Sequence, residues 1–274
     1  MRRWLIPGCT AAVLVAAASA TSQVVVGLTA YRSVVVPASA TRALSVSCPA
    51  GYFAVSAGVT RADEGVKQLA ARPLSRRAFA FRLANADDLG HRVTVGAACR
   101  RVRARGGTAP HLTLSARRRV RVQVAPSGLR QARLTCPKGT IPAAVGFDLG
   151  RNLSLRQVTQ DLHVLTFGVF NGGSTPRTAL LYAGCLTIVH SAGSRATKLQ
   201  ISLVTDTVPI HAGSQIVTRI CPRGWLSFGV GYSLPAGVEL NGAAAVARTG
   251  RWSLRNSAQK PVLAHLQLAC ARLT

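Results

Sequence analysis

Apolar and polar residues alternate with a period of two over short stretches of the chain, and turn-forming residues separate the stretches. Val120, Val122 and Val124 alternate with Arg119, Arg121 and Gln123. Leu112 and Leu114 alternate with His111, Thr113 and Ser115, and Phe167 and Val169 with Gly168 and Phe170. Side chains on successive residues of a strand point to opposite faces, so this pattern predicts strands with one buried face. Nowhere does a long 3.6-residue periodicity with caps appear. In the middle of the chain the pattern predicts strands over 111–115, 119–125, 131–136, 141–149, 154–159, 164–170 and 179–189. Pro126-Ser127-Gly128, Pro137-Lys138-Gly139, Gly150-Arg151-Asn152 and Asn171-Gly172-Gly173-Ser174 supply the turns. Short strands at this density predict an all-β, antiparallel, sandwich-like unit.

The unit recurs. Beyond Cys9, six cysteines stand at Cys48, Cys99, Cys136, Cys185, Cys221 and Cys270, with intervals of 51, 49 and 49 residues inside successive pairs. The first members lie 88 and 85 residues apart and the second members 86 and 85, a period near 86. Each first Cys opens the phrase C-P-x-G-x6-G: Cys48 to Gly58, Cys136 to Gly146 and Cys221 to Gly231. Eighteen residues before each second Cys stands an aromatic (Phe81, Phe167, Trp252), and fourteen before it an Asn (Asn85, Asn171, Asn256). The expected organisation is three tandem repeats of about 86 residues, at 21–107, 108–193 and 194–274. A single pseudo-threefold β-prism is the alternative architecture.

Turn chemistry accounts for the recurring residues. Pro fixes φ just after the Cys, and Gly two positions later can take positive φ, so the chain reverses between two strands. The second Gly, inside the next strand, points to a bulge or a close backbone approach. The Asn can occupy the left-handed region or bond its own backbone. The repeat reduces the cysteine pairings to two. Either each unit closes on itself (Cys48–Cys99, Cys136–Cys185, Cys221–Cys270), or neighbours are stapled cyclically (Cys99–Cys136, Cys185–Cys221, Cys270–Cys48). The first is expected because it lets each unit fold alone.

A strand ending in C-P-x-G, a Gly-containing strand, an aromatic-x-apolar-x-Asn segment and a closing strand ending in Cys resemble repeats of secreted proteins from high-GC, actinomycete-type bacteria. The resemblance covers about 34–270. The chain departs from the pattern where such repeats read Gly-Gly-Gly and this one has Ala57-Gly58-Val59, Val145-Gly146-Phe147 and Val230-Gly231-Tyr232. The resemblance implies an extracellular β-rich module and supplies no catalytic residues.

The first 20 residues change the setting. Arg2 and Arg3 precede an apolar run that ends Ala18-Ser19-Ala20, the n, h and A-x-A pattern of a signal peptide cleaved after Ala20. Most of the apolar run follows Cys9, which disfavours a lipoprotein reading. No later stretch is long and apolar enough to predict a transmembrane span. The mature chain is therefore expected outside the cell or at the cell wall, where paired cysteines oxidise.

Composition then narrows the chemistry. Hydrophobic residues make up 48% and charged residues 15% of the 274, which excludes a disordered polyelectrolyte. There are 34 Lys plus Arg, all but Lys67, Lys138, Lys198 and Lys260 being Arg, against 8 acids. Removing the leader leaves 32 basic residues against the 8, or +24 over 254 residues. The charge is shared among the units as +9, +8 and +7. It condenses at Arg100, Arg101, Arg103, Arg105, Arg117, Arg118, Arg119 and Arg121, the candidate polyanion-binding residues. A GC-rich genome also favours Arg, so the skew on its own names no ligand. Guanidinium does match phosphate and carboxylate bidentately.

Candidate catalysis is weak. No carboxylate pair recurs between units, the six His show no metal-ligand spacing, and Ser56 and Ser227 lack the leading Gly of a nucleophile elbow. Neither a metal nor another cofactor is expected. The sequence points to a secreted, non-enzymatic, basic β-repeat protein whose partners are anionic polymers: teichoic acid, acidic polysaccharide, or extracellular DNA bound without sequence preference. A lectin-like module for neutral carbohydrate, stacking sugars on Tyr52, Trp225, Phe147 or Tyr232, is the alternative. A third reading, an enzyme with one composite cleft, would need Asp161 and His163 to cluster with a Ser or Cys.

Overall fold

The structure is a computed structural model that describes residues 23–62, 65–104, 111–115, 118–189 and 198–274. Among these every regular element is a strand. The first third of the chain forms β1 (Gln23–Val36), β2 (Thr41–Ser47), β3 (Phe53–Ala62), β4 (Val66–Pro73), β5 (Ala78–Asn85) and β6 (His91–Ala104). The middle third forms β7 (His111–Leu114), β8 (Arg118–Val124), β9 (Leu129–Thr135), β10 (Ile141–Asp148), β11 (Leu153–Asp161), β12 (Val164–Asn171) and β13 (Arg177–Val189). The last third forms β14 (Leu199–Ile210), β15 (Gly213–Ile220), β16 (Leu226–Ser233), β17 (Val238–Val246), β18 (Thr249–Asn256) and β19 (Val262–Leu273). The seven strands expected in the middle third are all present, with ends displaced by no more than two residues. The leader and the expected repeat boundaries at 107/108 and 193/194 lie outside the described residues.

Each third contributes the same two antiparallel three-stranded groups. One runs β1-β6-β3 in the first third, β7/β8-β13-β10 in the middle and β14-β19-β16 in the last. The other runs β2-β5-β4, β9-β12-β11 and β15-β18-β17. The C-P-x-G phrase leaves the second group and enters the first. Gly51, Gly139 and Gly224 take φ of 78°, 80° and 83°, and Tyr52, Thr140 and Trp225 each donate a backbone N–H to the preceding Pro carbonyl at 3.1–3.2 Å. Positive φ is open to glycine because it lacks Cβ. The recurring aromatic Phe81, Phe167 or Trp252 is fully buried. The recurring Asn is buried as well and wires the late turn. Its Nδ2 donates to the end of an early strand (Val36, Val124, Ile210) and to a carbonyl four residues on (Leu89, Thr175, Lys260), while its Oδ1 accepts the N–H two residues on.

Disulfides join the two groups within each third: Cys48–Cys99, Cys136–Cys185 and Cys221–Cys270, with Cα–Cα distances of 5.6, 5.6 and 5.7 Å. The self-closing connectivity is therefore the observed one, and three such bonds indicate an oxidising environment.

The second Gly of the phrase sets how the thirds meet. A strand of each third's second group lies beside a strand of the next third's first group. β4 pairs with β10 (Ala71 opposite Phe147) and β11 with β16 (Val158 opposite Tyr232). The cycle is completed by β17 against β3. A Cβ on Gly146 would fall 2.4 Å from the Ala71 carbonyl, one on Gly231 2.6 Å from that of Val158, and one on Gly58 1.7 Å from that of Ala243. Only glycine admits this approach. A β-bulge precedes each of these glycines, between Ala54 and Ser56, Ala143 and Gly146, and Ser227 and Gly229. A second bulge falls at matching points of β4, β11 and β17.

The expectation that each unit folds alone is corrected by these seams. Two of the sheets run across a boundary between thirds, and the apolar interior does likewise. One cluster packs Phe167, Leu165 and Leu181 with Trp252, Leu254 and Leu266. The other packs Phe79, Phe81 and Val95 with Leu112, Ile141 and Phe228. The molecule is all-β and sandwich-like within a third, and the contacts between thirds, with β17 against β3, close them into a ring.

Gly231→Ala should destabilise by about 1–3 kcal/mol, because the new methyl meets a backbone carbonyl that cannot swing away. Gly229→Ala, where nothing lies within 4 Å, should be near neutral; urea unfolding of the two variants makes the comparison. Replacing Cys136 and Cys185 together by Ser removes a closed loop of 49 residues, worth about 4 kcal/mol in the chain-entropy account. Because the core is shared, calorimetry should show the whole molecule losing stability in one transition rather than a separate melting of the middle third.

Candidate anion-binding surface and a central cavity

The eight arginines expected to form one basic surface are divided by the fold. Arg105 and Arg117 lie outside the described residues. Arg101 and Arg103 sit on β6, which pairs with β1 and β3, whereas Arg118, Arg119 and Arg121 sit on β8, which pairs with β13. Arg103 is exposed, and Arg101 lies with its guanidinium carbon 4.5 Å from the centre of the Tyr52 ring. Arg118 is exposed and donates to the Thr135 carbonyl at 2.8 Å.

Arg100 is not on the surface at all. Its relative exposure is 0%, and its guanidinium donates to the carbonyls of Ser227, Ala247, Leu28 and Cys99 at 2.5–3.2 Å. It also reaches Ser227 Oγ at 3.3 Å and lies 5.9 Å from the Phe228 ring centre. Burial lowers its pKa to about 10, which still leaves it protonated at neutral pH. Arg100 ties β6 to β16 and to the end of β17, joining the first and last thirds at the one junction that lacks a registered ladder. It is withdrawn from the candidate binding set because no soluble polyanion can reach it.

The other two junctions carry different polar locks. Arg82 donates to Asp148 Oδ1 at 2.8 Å and to the Leu149 carbonyl at 2.7 Å between the first and middle thirds. Gln267 exchanges two bonds with the Gln160 backbone, at 2.7 and 2.9 Å, between the middle and last.

An open cleft separates β8 from β9 after they leave the Pro126-Ser127-Gly128 turn for different sheets. Arg121, Arg130 and Arg133 line it together with Gln123, Gln131 and apolar residues, and no carboxylate lines it. Arg119 stands two residues from Arg121 on the same side of β8, since strand side chains alternate. Arg119, Arg121, Arg130 and Arg133 are all exposed, and none of their side chains makes a hydrogen bond or ion pair with a described residue. Ion pairs between described residues are confined to Arg82–Asp148, His91–Asp87 and Arg219–Asp206. Arg130 and Arg133 were missed from sequence because they belong to a neighbouring strand whose pairing with the cleft is tertiary.

The four aromatics of the lectin reading do not make one pocket per third. Tyr52 and Trp225 occupy matching positions four residues after the first Cys, and each lies under an arginine two residues after the second. Arg101 covers Tyr52 and Arg272 covers Trp225, at 4.5 and 4.7 Å. In the middle third both positions are threonine, Thr140 and Thr187. Phe147 and Tyr232 stand elsewhere, on the central cavity.

The remaining candidates are held by backbone contacts. Ser227 is fully buried and donates to the Ala247 carbonyl at 2.8 Å. His163 contacts the Thr140 carbonyl through Nδ1 at 2.7 Å, doing for the middle third what Arg77 and Arg248 do for the others when they donate to the carbonyls of Cys48 and Cys221. Asp161 is exposed and makes no hydrogen bond or ion pair with His163. Among the described residues no three His, Cys, Asp or Glu gather as metal ligands.

Where β3, β4, β10, β11, β16 and β17 face one another, the ring encloses a cavity of about 490 Å3. All three thirds line it. No protein-family model matches the chain, and a search of curated proteins returns no match either. The functions of the surface and the cavity are therefore inferred from their geometry.

Arg100→Leu should cost on the order of 2–5 kcal/mol, because it strips the donors from buried carbonyls of Ser227, Ala247 and Leu28 and leaves acceptors unsatisfied at roughly 1–3 kcal/mol each. Thermal unfolding measures the loss, and hydrogen exchange should rise first in β3, β16 and β17.

Proposed function

We propose that this protein is secreted, non-enzymatic and associates through exposed arginines with anionic envelope or extracellular polymers. The observation that carries the reading is the β8/β9 cleft, which Arg121, Arg130 and Arg133 line with Arg119 beside them and no described acid among the lining residues. Unpaired guanidinium groups on two strands facing a cleft suit an array of phosphates or carboxylates, each bound through two parallel N–H donors. The surplus charge extends over all three thirds, so a long polymer meets attraction wherever it lands and its encounter is steered. Fixed strands keep these side chains in place without ordering a loop on binding. The exposed Arg118 and Arg119 extend the surface along β8, and Arg103 adds positive charge elsewhere, on β6.

The test is retention on immobilised heparin and on teichoic acid, followed by titration with duplex DNA across a salt series. Changing Arg119, Arg121, Arg130 and Arg133 to Ser should shift elution to lower salt. On DNA the slope of log affinity against log salt should fall by roughly 0.9 for each phosphate that the variant no longer neutralises. Elution of the unaltered protein together with a neutral protein of equal size would refute the reading. Unchanged elution of the fourfold variant would move the binding surface away from β8/β9.

A further inference from the structure

We propose that the central cavity binds a single-chain amphiphile with an anionic headgroup, of the fatty-acid class. Three observations carry this, none depending on the polyanion reading. First, a cavity of about 490 Å3 falls within the roughly 300–1,000 Å3 of small-molecule sites. It lies at the meeting point of all three thirds, so it exists only in the closed ring.

Second, its lining is graded. Val145, Leu155, Val158, Val230 and Leu240 are buried or half-buried, whereas Lys67, Asn152, Glu239 and Arg255 are exposed at its rim. The inner lining offers an acyl chain an apolar surface. Among the described residues at and near the rim, Lys67, Arg156 and Arg255 outnumber Glu239, which favours a negative headgroup over a positive one. Arg156 is fixed by donating to the Val238 carbonyl and lies 5.7 Å from the Phe170 ring centre. Lys67 and Arg255 carry no bond or ion pair to a described residue.

Third, Tyr232 is 4% exposed and lines this cavity, and its hydroxyl bonds no described residue yet is not among the sealed, unpartnered polar atoms, so it is open to the cavity. The hydroxyl is thus available to bond a guest that carries an oxygen in or near its headgroup. Burial also raises the Tyr232 pKa, so the group stays a neutral donor at any ordinary pH.

Isothermal titration of the full mature chain at about 0.15 M salt, where charges at the rim still act over about 8 Å, tests the site. Decanoate, dodecanoate and tetradecanoate are the probes. Binding should be saturable at one molecule per chain, tightening about fourfold per added methylene until the cavity is full. Val145→Trp, which fills the cavity, should abolish it while leaving heparin retention unchanged. Lys67→Gln combined with Arg255→Gln should weaken dodecanoate about tenfold and leave dodecanol unaffected. The variant carrying Ser at Arg119, Arg121, Arg130 and Arg133 should bind dodecanoate normally, which separates this proposal from the polyanion one. Several molecules bound per chain, equal affinity for dodecyltrimethylammonium, or undiminished binding by Val145→Trp would each overturn it. If Val145→Trp does not fold, the exposed Lys67/Arg255 pair decides alone: undiminished dodecanoate affinity in that variant overturns the proposal.

Discussion

The approach of one third's backbone to the next, at distances that exclude a side chain, is the constraint on which the rest depends. Gly58, Gly146 and Gly231 each place a backbone where Ala243, Ala71 or Val158 presents its carbonyl. Without that approach β4 could not pair with β10, nor β11 with β16, and the thirds would be separate small sandwiches. With it, three marginal units share an interior. A domain of some 86 residues buries a smaller fraction of its surface than one three times its length, so ring closure supplies what each third lacks alone. Disulfides then pin the two halves of each third across that interior.

Closure also explains why a charged side chain is found in the middle of the protein. Two junctions are continued by a strand ladder; the junction of the first and last thirds is not. There Arg100 fans its donors over carbonyls from both sides. Guanidinium suits this place because it offers five donors in one rigid plane and is less strongly hydrated than ammonium. Its matching positions in the other thirds are Leu186 and Ala271, both buried and apolar. Once the middle and last thirds meet through paired strands, no such clamp is required.

The outside and the centre of the ring present different chemistry. Strand alternation points Arg119 and Arg121 outward while Val122 and Val124 enter the core, so the positive surface is a direct consequence of a period of two. The cavity depends instead on strands from every third, and the residues lining it are apolar within and basic at the rim. One surface suits extended anionic chains, the other a single small amphiphile, and neither requires the other.

The amino-acid order alone determined a great deal: strands of the middle third to within two residues, the turn glycines at positive φ, the recurring aromatic and Asn of each late turn, and the reduction of the cysteine pairings to two, of which the structure shows the self-closing one. Those features are local or periodic, and period-two alternation, φ restriction and a fixed Cys spacing can all be read along one chain. Tertiary structure decided the rest. Arg100 stands in an Arg-rich run and looks like its neighbours until β6 is placed against β16. Arg130 and Arg133 join Arg121 only because β8 and β9 diverge into separate sheets. Tyr232 reaches the cavity only when the ring is closed. Each of these rests on contacts between residues far apart in the chain, and a linear pattern carries no record of which distant backbone will lie alongside.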